Sequence, residues 1–206
     1  MGLRARFKRV LKPRTGLLGG AFDPPHNGHV ALAEGAIGHL GLERLVIVVT
    51  GTPAHKSVDT DAETRARLAE AAFAGLPGVV LSRHELERPG PSYTVDTVRW
   101  AAEVYGEVVF VVGADEFAGF LSWHDPEGVL RAGRLAVATR PGYPRDRLAA
   151  VLAHLSEPDR VELFELAALP ISSTDVRERI ARGEPIDDLV PARVAELVAE
   201  LGLYRA

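Results

Sequence analysis

Six short runs of aliphatic, largely β-branched residues recur along the chain, separated by longer stretches with helical spacing. The runs are TGLLGG (15–20), RLVIVVT (44–50), GVVLS (78–82), EVVFVVG (107–113), RLAVAT (134–139) and VELFEL (161–166). Several are apolar at successive positions. A strand covered on one face only alternates apolar with polar residues, so uninterrupted runs predict strands buried on both faces of a parallel sheet. The intervening segments supply the cover: Val95, Val98, Ala102 and Tyr105, for example, follow helical spacing. The expected fold class is α/β, a doubly wound and mainly parallel sheet with helices on both faces.

Helix boundaries are also legible. Thr60 with Glu63, and Ser172 with Asp175, have the spacing of a capping box. The stretch LVPARVAELVAELGLY (189–204) predicts a terminal helix between Pro191 and Gly202, forming a small helical cap. With 206 residues the chain fits one domain, taken here as 14–206, preceded by a basic tail over 1–13 that reads as solvated.

Composition removes several function classes. A formal net charge of −4 gives no basic footprint for nucleic acid, and no apolar run approaches the ~20 residues of a membrane span. Cysteine is absent, which excludes disulfides, thiolate metal sites and cysteine nucleophiles and fits a cytoplasmic protein.

In a doubly wound, Rossmann-like sheet, ligands gather at the carboxyl ends of the strands near the reversal of strand order. The loops there hold the unusual residues. GGAFDPPHNGH (19–29) places His26 and His29 three positions apart after a strand. Three readings stand for this pair: metal ligands, turn or core residues, or donors to a phosphate. No cysteine and no HExxH helix completes a zinc site, whereas glycines and a helix start near Gly28 suit an anion. GTPAHKS (51–57) lacks the glycine before the lysine of a P-loop, but Lys56 follows a strand where an ammonium can meet phosphate. In ISSTDVRERI (171–180), Ser172, Ser173 and Thr174 open a helix and Arg177 lies one turn on, which reads either as capping or as a second anion site.

Taken together, HNGH after the first strand and ISSTDVR late in the chain resemble the HxGH-type nucleotidyltransferase superfamily. Within it, GGAFDPPHNGH, TPAHK, ERPGPSYTVDTV, FVVGADEFAGFLSWHDPEGVL and LVPARVAELVAELGLY resemble the bacterial nicotinate mononucleotide adenylyltransferases, from Gly16 to Tyr204. The resemblance implies transfer of AMP from ATP to nicotinate mononucleotide, with magnesium carried on the ATP and no resident metal site. It implies phosphate contacts for His26, His29 and Arg177, which with Lys56, placed after its strand, are the expected catalytic residues. The nucleotide would lie along Gly19, Gly20, Ala21, Phe22 and Asp115, with Ser172, Ser173 and Thr174 completing the ATP site. Tyr93, Thr94, Thr97, Trp123 and His124 would surround the mononucleotide. Ala21 stands where many members carry a hydroxyl side chain, and Ala54 where proline is frequent. The expected partners are ATP and nicotinate mononucleotide, without nucleic acid or membrane. The oligomeric state, a homo-oligomer included, stays open. The same transfer to nicotinamide mononucleotide or phosphopantetheine, and a binding module without turnover, are the alternatives.

Overall fold

The structure is a computed structural model that describes residues 14–53, 58, 60–167 and 169–205. The tail over 1–13 and the segment 54–57, with Ala54 and Lys56, therefore lie outside the described residues. Six strands form the sheet: β1 (Thr15–Gly20), β2 (Arg44–Val49), β3 (Val79–Ser82), β4 (Val108–Gly113), β5 (Arg134–Thr139) and β6 (Val161–Glu165). Each lies within one residue of its expected bounds. All pair in parallel, in the order β3-β2-β1-β4-β5-β6.

The uninterrupted apolar runs are explained by what covers each face. Leu18, Ile47, Val49, Val109, Val111 and Phe164 pack on one side against α1 (Asn27–Leu40), α2 (Ala62–Phe73), α7 (Ser173–Ala181) and α8 (Ala192–Glu200). Leu17, Val46, Val48, Phe110, Val112 and Val137 pack on the other against α3 (Thr94–Tyr105), α4 (Ala114–Phe117), α5 (Pro126–Ala132) and α6 (Arg145–Leu152). Five of the six residues of β2 are buried, and burying each Val, Leu or Ile there contributes roughly 1.5–3 kcal/mol. No helix among the described residues is long and apolar enough to cross a membrane.

The two capping boxes fare differently. Ser172 Oγ accepts from Asp175 N at 3.1 Å and Asp175 Oδ2 accepts from Ser172 N at 2.8 Å, as the spacing predicts. At α2 the expected Thr60–Glu63 box is absent, because the cap is Asp61, whose Oδ1 accepts from Thr64 N at 2.9 Å. Aspartate is the stronger N-cap, and the Thr60 carbonyl is occupied by the Arg65 guanidinium at 3.0 Å.

The strand order places the reversal between β1 and β4. Helices leave these two neighbours toward opposite faces, so a crevice opens beyond their carboxyl ends. The loop 21–26 starts there.

Candidate functional site at the carboxyl edge of the sheet

β1 ends at Gly20, where a Cβ would stand 2.9 Å from the Phe22 ring. Phe22 takes a left-handed backbone (φ 52°), and its buried ring packs edge-on against His29 and Phe73 at centroid distances of 5.2 and 5.5 Å. Phe22 thus offers the site its backbone, its ring belonging to the core. His26 caps α1 and His29 is the third residue of that helix. Between them Gly28 leaves space: a Cβ there would lie 3.0 Å from the His26 ring. The two imidazoles sit 3.8 Å apart between centroids, tilted by 34°. The glycines of this loop therefore make room for protein rings.

Each histidine has a distinct state. His29 Nδ1 accepts from the His26 backbone N–H at 3.2 Å, so the neutral ring carries its proton on Nε2. His26 is 7% exposed, and burial pushes its pKa down to about 4, partly opposed by the Asp175 charge. It is a neutral ring at pH 7. A histidine held neutral in the fold but protonated from about pH 6.5 when unfolded costs stability as pH falls from 6.5 through 4. We expect the unfolding free energy of the protein to decline over that window by ~3 kcal/mol more than that of His26→Gln. Urea midpoints of both proteins between pH 7 and 4 check this, and a difference that stays constant with pH would contradict it.

The late motif docks on the same loop. Ser173 Oγ donates to the Pro24 carbonyl at 2.8 Å, and Arg177 Nη1 donates to the Asp23 carbonyl at 2.7 Å. Arg177 Nη2 also donates to Thr174 Oγ1 at 3.3 Å. Asn27 N donates to the Leu189 carbonyl at 2.9 Å. Two segments about 150 positions apart are thereby one structure. The hydroxyls of Ser172 and Ser173 already have partners, in the capping box and on Pro24. The N-terminus of α7 and the half-buried, positively charged Arg177 lie at this contact as well, Arg177 hydrogen-bonded to the loop.

Two concavities flank this seam. The larger, about 750 Å³, is lined by Gly19, Gly20, Ala21, Glu85, Tyr93, Thr94, Trp123 and His124. Tyr93 stacks on His124 at 4.2 Å, and Trp123 is held edge-on by Phe110 and Phe120 at 6.3 and 5.2 Å. Thr97 is not on this wall. It is buried at 1% exposure, and its hydroxyl donates to the Glu85 carboxylate. The smaller, about 160 Å³, lies beyond β4 and β5 and is lined by Gly28, Asp115, Thr139, Arg140 and Tyr143. Asp115 is exposed and pairs with Arg140 at 3.5 Å. Among the described residues, no group of three or more His, Asp or Glu could hold a metal ion.

Two structural residues of the site escaped the sequence reading. Arg65, 1% exposed, donates to the carbonyls of Ala21 (2.8 Å), Thr50 (2.7 Å), Gly51 (2.9 Å) and Thr60. Its signal was present in α2, where it shares one stripe with the buried Leu68, Ala69 and Ala72. Glu85 is buried beneath the larger concavity, and burial raises its carboxyl pKa. Nothing in its local sequence sets it apart from the acidic residues around it.

The cytidylyltransferase-like family model matches residues 17–179. The chain is 41% identical over 198 residues to a probable nicotinate-nucleotide adenylyltransferase of Rubrobacter xylanophilus, covering 94% of this chain and 92% of the relative. It belongs to the nicotinate-nucleotide adenylyltransferase family. A second relative bearing that family name, from Moorella thermoacetica, is 40% identical over 204 residues, with 95% and 94% of the two chains covered. The fold agrees with that of a Plasmodium falciparum nicotinic acid mononucleotide adenylyltransferase solved in complex with NaAD (TM-score 0.75, 18% identity, 93% of this chain and 97% of that one). Likeness to the nicotinate-nucleotide adenylyltransferase family thus extends from the first strand past the helix that docks on it.

Proposed function

We propose that the protein transfers AMP from ATP to nicotinate mononucleotide, forming nicotinate adenine dinucleotide and pyrophosphate for NAD biosynthesis. The observation that carries this reading is the seam: His26, His29, Arg177 and the N-termini of α1 and α7 converge between two concavities at the reversal of strand order. A phosphate chain held at the seam reaches a nucleoside on either side.

The larger concavity takes the mononucleotide. Its volume suits a ligand of that size, and the Trp123 and Tyr93 rings offer flat surfaces to a pyridine ring. The smaller takes the adenosine end of ATP, beside Asp115 and Arg140. An oxygen of the mononucleotide phosphate attacks the α-phosphorus of ATP in line. The new P–O bond forms as the bond to the bridging α–β oxygen breaks, and pyrophosphate departs with the electron pair. The attacking phosphate is already ionised at neutral pH, so no general base is needed. Catalysis is alignment plus stabilisation of charge on the transferring phosphorus. His29 donates from Nε2, Arg177 supplies a fixed positive charge, and His26 serves as a neutral donor until phosphate binding draws a proton to it. Magnesium enters with the triphosphate as part of the substrate and neutralises the leaving pyrophosphate. Pyrophosphate release from ATP, measured with the acceptor varied, tests this reading.

A further inference from the structure

Beyond α8 the backbone turns back through Gly202 and Tyr204, with φ of 62° and 61°, and Leu203 N donates to the Val198 carbonyl at 3.1 Å. A left-handed conformation is unfavourable for a residue with a Cβ, so contacts must hold Tyr204 there. Two kinds of contact do so. Leu203 and Tyr204 pack against the core on the side of α2 and α8. The tyrosine hydroxyl also donates to Asp23 Oδ1 at 2.7 Å, 181 positions away, and is hydrogen-bonded by the Thr60 side chain ahead of α2.

Asp23 lies three residues before His26 and is 6% exposed. Its carbonyl accepts from Arg177, and the Ala21 carbonyl accepts from Arg65. The segment 21–23 is thus gripped by side chains from α2, from α7 and from the turn after α8. Neither Asp23 nor Tyr204 lines either concavity, and the Asp23 carboxylate is occupied by the tyrosine hydroxyl. A carboxylate in a loop that receives phosphates would repel them if it turned outward. The tyrosine hydroxyl occupies its Oδ1, and the buried Arg65 guanidinium attracts its charge from the same side.

We propose that Tyr204 is a positioning residue for adenylyl transfer: its hydroxyl holds the Asp23 carboxylate away from the phosphates and fixes the loop that carries His26 and His29. This rests on the function proposed above. Tyr204→Phe removes the hydroxyl and keeps the ring in the core. Its kcat is expected to fall about ten-fold, because small misplacements of reacting groups are costly, while the KM for nicotinate mononucleotide stays unchanged. A merely structural loss would act on both constants and on thermal stability. Asp23→Ala combined with Tyr204→Phe should be much less slow than the product of the two single penalties, since the two side chains share a contact, with only the separate Tyr204–Thr60 bond left to add. Hydrogen exchange gives a readout independent of turnover: the amides of Ala21, Phe22, Asp23 and His26 should exchange faster in Tyr204→Phe, with the protection of α8 retained. Turnover within two-fold of the unsubstituted protein, multiplicative penalties in the double variant, or unaltered exchange at 21–26 would overturn the proposal. If the unsubstituted protein releases no pyrophosphate, the adenylyl-transfer reading fails and with it the positioning of Tyr204 for that reaction. The exchange comparison then decides on its own whether Tyr204 holds the loop.

Discussion

Replacing His29 with alanine is expected to lower kcat by about 100-fold or more while the protein stays folded, the scale of losing one donor to developing charge. The geometry makes this histidine an oriented donor. Its Nδ1 is committed to the His26 backbone, so the Nε2 proton has a fixed direction and needs no reorganisation during the transfer. The ring is half-buried, packed edge-on against Phe22 and close to His26. Removing it leaves the His26 N–H without this acceptor, a loss of about 1 kcal/mol in stability by the usual worth of a neutral hydrogen bond. Steady-state kinetics with a matched denaturation curve separate the two consequences. A folded His29→Ala protein with near-normal turnover would remove the imidazole from the catalytic account.

Arg65→Met is expected to have the largest effect on stability, lowering the unfolding free energy by about 3–5 kcal/mol. The guanidinium is buried, and its donors satisfy carbonyls at the ends of both β1 and β2 as well as at the start of α2. Methionine fills similar space and leaves all four carbonyls without that donor. Lysine should recover only part of the loss, because an ammonium cannot reproduce the planar fork that spans Ala21, Thr50 and Gly51. Urea unfolding of the three proteins reads this directly. A methionine variant within 1 kcal/mol of the unsubstituted protein would show that water replaces the guanidinium at little cost.

The strands were legible because burial on both faces leaves an apolar run that few other structures tolerate. The pairing of HNGH with ISSTDVR was legible as chemistry, through two anion-binding patterns, and the structure adds the contacts that join them. Other properties depend on neighbours that are distant in sequence. The neutral state of His26 follows from burial beside α7. Thr97, read as part of SYTVDT, lies on the stripe of α3 that faces inward with Ala101, so its hydroxyl meets Glu85 instead of the concavity. The α2 cap moved by one residue because Asp61 competes with Thr60 for the same role. Gly20 and Gly28 line the concavities and in addition admit the rings of Phe22 and His26, a packing role no local pattern shows. In each case the residue type was informative and the partner was not.

The central claim is adenylyl transfer to nicotinate mononucleotide, and the most direct measurement is pyrophosphate released from magnesium–ATP with one acceptor at a time. The account predicts acceptor-dependent release with the highest kcat/KM for nicotinate mononucleotide, accompanied by the dinucleotide as product. Faster release with nicotinamide mononucleotide or phosphopantetheine would contradict the assigned acceptor, and no release with any acceptor would leave the site a nucleotide-binding module without turnover.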